Sequence, residues 1–137
     1  MVDIPVEKLI ALARAAREKA YTPYSKFKVG AALLAADGQV YTGCNVENVS
    51  YGLTICAERT AVVKAVSEGQ REFKAIAVVA DTEEYCSPCG ACRQVLAEFG
   101  PDIKVYLVNR CGDYVTFTTA ELMPRAFDKI ELTGTEK

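Results

Sequence analysis

Ala75-Ile76-Ala77-Val78-Val79-Ala80 is an unbroken run of six apolar residues. A strand wetted on one side alternates apolar with polar residues, so a run without interruption marks a strand covered on both faces, in the middle of a sheet. Downstream, Pro88 opens a segment in which Cys92, Val95, Leu96 and Phe99 share one side, and Gly100-Pro101 closes it. That spacing, with proline at the start and glycine at the end, predicts a helix. Ile103 to Val108 is again strand-like, so the three pieces read as a βαβ unit with parallel strands. The link Asn109 to Asp113 is too brief for a crossover, and the next strand, Tyr114 to Thr118, is expected to turn back antiparallel.

Upstream, Val29 to Ala35 and Gln39 to Cys44 flank Asp37-Gly38, a dipeptide tolerant of positive φ, and read as a hairpin. Before them Val6, Leu9, Ile10, Ala13 and Ala16 recur at helical spacing with Arg14, Arg17 and Lys19 opposite. This amphipathic helix is started by Asp3 and Pro5 and stopped by Thr22-Pro23. Cys56 to Ser67 carries Ala61, Val62, Ala65 and Val66 on one side and ends at Gly69, a second helix with a glycine cap. A short helix is expected near Thr119 to Met123. The fold class is α/β: one domain over residues 1–137, with a mixed five-stranded sheet and helices on both faces.

Composition narrows the chemistry. The 16 Lys+Arg against 18 Asp+Glu give a net charge of -2, which supplies no field to gather nucleic acid or an anionic membrane, so neither is an expected partner. A chain with no histidine cannot run a Ser-His-Asp or Cys-His mechanism, nor bind zinc through imidazole. Six cysteines, no charged-then-apolar leader and no apolar run near about 18 residues fit a reduced, cytoplasmic protein.

Three of those cysteines suggest a metal site. Cys56 begins the second helix, and Cys89 and Cys92, three apart, fall on neighbouring sides of the first turn of the third. Helix N-termini carry partial positive charge and favour the thiolate that zinc requires. Three thiolates and one zinc ion sum to -1, and Arg59, three residues after Cys56, is placed to offset that charge by donating to the sulfurs; otherwise it is a solvated helix arginine. Cys86 continues the spacing and would close a four-sulfur structural cage, but Pro88 biases Ser87 toward extended backbone and turns Cys86 away. Cys44 and Cys111 read as small buried apolar residues.

Cys56-Ala57-Glu58 followed by Pro88-Cys89-Gly90-Ala91-Cys92 resembles the zinc deaminase signature, with cysteine where histidine often stands. The wider chain is similar to the small homotetrameric cytidine deaminases in four places. They are Tyr24-Ser25-Lys26-Phe27-Lys28-Val29-Gly30-Ala31-Ala32, Gly43-Cys44-Asn45-Val46-Glu47-Asn48, Cys56-Ala57-Glu58-Arg59-Thr60-Ala61 and Ser87-Pro88-Cys89-Gly90-Ala91-Cys92-Arg93-Gln94. The resemblance implies a three-layer α/β/α sandwich and hydrolysis of cytidine and deoxycytidine to uridine, deoxyuridine and ammonia in pyrimidine salvage.

It further implies one zinc per subunit on Cys56, Cys89 and Cys92, with Glu58 shuttling protons. Residues two apart on an ideal helix face nearly opposite ways, so Cys56 must sit at an irregular helix start for Glu58 to share its cavity. Without the cysteines, Glu58 would read as an acidic residue favoured by the helix dipole. Asn45 and Glu47 alternate along a strand end and project to one face; the resemblance assigns them the ribose 3'-hydroxyl, the alternative being a turn asparagine and an exposed glutamate. Phe27, a core aromatic by sequence alone, is implied to stack on the pyrimidine, and Ala57 to offer backbone groups to the base. Tyr51 and Phe127 match residues that reach into a neighbour's pocket, which implies a homotetramer with shared sites; otherwise Phe127 folds onto its own core. The rival functions are a deaminase of a modified nucleoside such as blasticidin S and a noncatalytic zinc-stabilised binding module.

Overall fold

The structure is a computed structural model and describes residues 4–128 and Leu132. Five strands make one mixed sheet: β1 (Val29–Ala35), β2 (Val40–Cys44), β3 (Phe73–Ala80), β4 (Lys104–Val108) and β5 (Tyr114–Thr118). Their order is β2-β1-β3-β4-β5, with only β3 and β4 parallel. The apolar run at 75–80 is central, as its lack of alternation requires, and β5 returns antiparallel after the short link.

Alternation along the central strands feeds two cores. Ala31, Leu33, Ile76, Val78, Val105 and Leu107 face one side and pack with Ala61, Val62 and Ala65 of α2 (Ala57–Ser67) and Leu96 of α3 (Gly90–Ala97). Ala32, Leu34, Ala77, Val79 and Val108 face the other and meet Leu9, Ile10 and Ala13 of α1 (Val6–Arg17). Each large aliphatic side chain so buried contributes about 1.5–3 kcal/mol. The result is the expected three layers, helix, sheet, helix. A four-residue α4 (Thr119–Leu122) follows β5, capped by Thr118 and Glu121 bonding each other's backbone N–H.

Two glycines set how closely the helices sit. A Cβ on Gly30 would come 2.0 Å from the Ala13 carbonyl oxygen in α1. One on Gly43 would come 2.4 Å from the Ala57 carbonyl oxygen and 2.5 Å from the Ala61 nitrogen in α2. Gly43 therefore fixes the height of the first turn of α2 above β2.

Helix boundaries differ from the sequence reading where tertiary bonds intervene. α1 ends at Arg17, with Glu18 as its cap, well before Thr22-Pro23. The chain leaves the helix because Tyr21 exchanges backbone hydrogen bonds with Asn45 and Glu47, prolonging the sheet edge. Pro5 occupies the N-cap; the other expected starter, Asp3, lies outside the described residues. Cys111 is exposed rather than buried, because it sits in the β4–β5 turn, where the Asn109 side chain accepts from the Cys111 and Asp113 nitrogens. Cys44 is half-buried at the end of β2. No described helix is long and apolar enough to cross a membrane.

Candidate metal centre

The sheet brings two helix N-termini together. Gly30 of β1 pairs with Cys44 on one side and Val79 on the other, so the C-terminal ends of β2 and β3 lie level. From these ends the chain passes into α2 and α3. Cys56 is the N-cap of α2 and Cys89 the N-cap of α3, both in extended backbone (φ -73°, ψ 157° and φ -70°, ψ 169°). The helices thus start one residue later at Cys56 and two residues later at Pro88 than the spacing suggested. At α3 the cause is capping: the Cys89 sulfur accepts from the Cys92 nitrogen at 3.5 Å, as a serine or aspartate oxygen does at a helix start, whereas the Cys56 side chain makes no such bond.

The Cys56 and Cys89 sulfurs lie 3.7 Å apart and those of Cys89 and Cys92 3.4 Å apart. All three fall within 4.8 Å of one another, the one such group among the described residues. Tetrahedral zinc with bonds of about 2.3 Å to sulfur requires sulfurs about 3.8 Å apart, so the cluster fits that ion with little movement. Cys86 is not part of the group; it packs against the α2/α3 core, and burial raises its thiol to about 12.

Charge in the cluster is arranged around Cys56. The hydrogen bond from Cys92 draws the Cys56 thiol well below the usual range, and bonds from Arg59 and Cys89 add to this against the cost of burial. The same shared proton keeps the Cys92 thiol high. Arg59 donates from Nη2 to the Cys56 sulfur at 3.4 Å, so it is not a solvated arginine; its Nε is buried with no partner among the described residues.

Glu58, only 4% exposed, follows Cys56 by two residues. Because Cys56 precedes the helix in extended backbone, the opposition expected of residues two apart on a helix does not apply. Burial first, and then the Cys56 charge, raise the Glu58 carboxyl to about 7. A carboxyl so placed gains and loses a proton near neutral pH.

Asn45 is buried and already bonded: its Oδ1 accepts from the Val29 nitrogen at 2.9 Å and its Nδ2 donates to the Phe27 carbonyl at 2.8 Å. Glu47 accepts from the Tyr24 and Ser25 nitrogens at 3.0 and 3.1 Å and from the Ser25 hydroxyl. The Ser25 hydroxyl bond, above all, holds its carboxyl below the usual range. Both side chains therefore shape the 24–29 loop, a function the alternation along the strand did not reveal.

That loop holds Phe27 out of the core at 46% exposure. Tyr51 is 75% and Phe127 57% exposed, so neither folds onto the core, while Ala57 is fully buried. The Phe127 carbonyl accepts from Gln94 of α3 at 2.8 Å, tying the end of the described chain to that helix. Tyr24, Ser25, Glu47, Tyr51 and Thr54 line a cavity of about 290 Å³. Tyr24, Ser25 and Thr54 are additions to the expected site residues; Tyr24 and Ser25 stand in a family-like stretch, but nothing in the spacing of the three distinguishes them from ordinary loop residues.

Residues 4–108 match the family described as the cytidine and deoxycytidylate deaminase zinc-binding region. The chain belongs to that family. A cytidine deaminase of Sporosarcina psychrophila is 63% identical over 128 residues, 93% of this chain and 94% of the relative. The crystal structure of cytidine deaminase from Burkholderia pseudomallei superposes with a TM-score of 0.88 at 54% identity, covering 90% of this chain and all of that one. A blasticidin-S deaminase of Bacillus cereus is 32% identical over 130 residues, 88% of this chain and 92% of the relative. As a member of this deaminase family the protein is a hydrolase and its cofactor is zinc, for which Cys56, Cys89 and Cys92 form a compatible cluster.

Proposed function

We propose that the chain hydrolyses cytidine and deoxycytidine to uridine and deoxyuridine with release of ammonia. The observation that carries this is a three-sulfur cluster with a buried, readily titrating carboxyl beside it, Glu58. Three sulfurs rather than four leave the open position a catalytic ion needs. The high identity to a cytidine deaminase, against 32% to a blasticidin-S deaminase, favours the plain nucleoside.

Zinc held by Cys56, Cys89 and Cys92 supplies the Lewis acidity that makes water nucleophilic near neutral pH. The chain's own groups do the rest. Glu58 takes the proton that the attacking water sheds, gives it to the pyrimidine ring nitrogen, and passes a proton to the departing amine. Arg59 offsets the excess negative charge of the sulfurs through its bond to Cys56. Phe27 stacks on the pyrimidine, and Ala57 presents backbone groups to the base. Asn45 and Glu47 take the sugar 3'-hydroxyl.

The assembly in this reading is a homotetramer, cytoplasmic, with Tyr51 and Phe127 entering a neighbour's site. Its support is the exposure of large apolar side chains in one short segment, Val49, Tyr51, Leu53 and Ile55, an apolar surface of the kind partners cover. Parallel assays of cytidine, deoxycytidine, deoxycytidylate and blasticidin S test the whole. The two nucleosides are expected to show the highest kcat/KM. Preference for blasticidin S reassigns the substrate, and a zinc-loaded chain inert to all four is a binding module.

A further inference from the structure

The Glu47 carboxylate is more heavily engaged than a group waiting for a sugar needs to be. Oε1 accepts from two backbone nitrogens, those of Tyr24 and Ser25, and Oε2 from the Ser25 hydroxyl. An ionised carboxylate offers about four lone-pair positions, so one remains, on Oε2. The Ser25 hydroxyl oxygen in turn accepts from the Phe27 nitrogen at 3.0 Å. That bond spans Lys26, whose backbone is left-handed at φ +61°. Asn45 grips the same loop from its far side, at the Phe27 carbonyl and the Val29 nitrogen. One hydroxyl therefore joins Glu47 to the backbone that carries Phe27, at the wall of the 290 Å³ cavity.

We propose that Ser25 is a positioning residue for sugar recognition, its hydroxyl fixing the Glu47 carboxylate so that a single acceptor position is left for a single sugar hydroxyl. The proposal rests on the reading that Glu47 meets the nucleoside's 3'-hydroxyl. It follows that Glu47 has no position for a second hydroxyl. Without the Ser25 donor Oε2 has two open positions that water fills, and the sugar hydroxyl loses its one fixed acceptor and must compete with that water.

Steady-state kinetics of the zinc-loaded enzyme on cytidine and on 3'-deoxycytidine, which lacks the hydroxyl concerned, test this. Ser25→Ala is expected to raise KM for cytidine about tenfold, the scale of one hydrogen bond to a charged group, with kcat within about twofold. On 3'-deoxycytidine the same substitution raises KM clearly less than on cytidine, because the Glu47 contact is already missing and only the support of the Phe27 nitrogen by the Ser25 oxygen is lost. Ser25→Thr, which keeps the hydroxyl, restores the wild-type pattern. Ser25→Cys keeps the volume and weakens the donor; it gives the Ala pattern and serves if Ser25→Ala does not fold. An equal rise in KM on both nucleosides, or no rise on either, overturns the proposal and leaves Ser25 a loop residue. Wild-type protein that leaves cytidine intact overturns the deaminase reading instead, so the two failures are distinct.

Discussion

The sulfurs of Cys56 and Cys89 lie 3.7 Å apart although 33 residues separate them. Each stands at the N-cap position of the helix that follows β2 or β3, strands whose C-terminal ends lie level, so the sheet, and not any local motif, closes the gap between them. A site built this way depends on sulfur identity at three positions and on the height of α2 above the sheet.

Replacing one sulfur is the simplest check on the cluster. Cys89→Ala removes both a sulfur of the cluster and the cap of α3, and zinc retained after gel filtration should fall below about a tenth of the wild-type content. Cys86→Ala should leave zinc content unchanged, since Cys86 stands outside the group. Elemental analysis of the purified variants measures both.

Arg59 donates to the Cys56 sulfur of the cluster. Arg59→Gln takes its positive charge from Cys56, and zinc affinity is expected to drop about 10- to 100-fold, read by competition with a chelator. Unchanged affinity and unchanged turnover would show that the guanidinium does not tune the site.

Glu58 gives stability a pH dependence whose sign is fixed. Its carboxyl ionises at about 7 in the folded chain against an ordinary 4.5. Below the ordinary value both states are protonated and burial of the carboxyl carries no ionisation penalty; between 4.5 and 7 the unfolded chain releases a proton that the folded chain keeps. Stability therefore falls as pH rises through this window, by about 3 kcal/mol in all. Glu58→Gln removes the penalty: in metal-stripped protein the variant should melt higher than wild type at pH 8 and alike at pH 4. In the zinc-loaded enzyme the same change should lower kcat at least about 100-fold.

Gly43 offers a test of geometry without touching any polar group. An alanine there presses on the Ala57 carbonyl and the Ala61 nitrogen, which are backbone and cannot rotate away. The expected cost is about 1–3 kcal/mol, with α2 displaced and kcat reduced, because α2 carries Glu58 and follows Cys56. Gly30→Ala crowds α1 instead, and should lower the melting temperature while zinc content holds.

The sheet was readable because its middle strand has no polar residue to hide: Ala75 to Ala80 allows no wetted face, and short links fix the neighbours. The sulfur cluster was readable because thiols at two helix starts have few other uses. The end of α1 was not, since Pro23 is the local stop signal but the bonds of Tyr21 to Asn45 and Glu47 act first and come from 24 residues or more downstream. Residue type alone assigned Phe27 to a core, whereas the Asn45 amide donating to its carbonyl and the Ser25 oxygen accepting from its nitrogen hold its backbone where the ring stays exposed. The engagement of Glu47 by Ser25 is a contact across 22 residues, for which no spacing rule exists.

The claim on which the rest depends is that the cage has three sulfurs and an open side. X-ray absorption at the zinc edge of the fully loaded protein counts the sulfurs directly. Three sulfurs and one lighter neighbour, at about 2.3 Å and 2.0 Å, are predicted; four sulfurs would make the site a closed structural one and contradict the account.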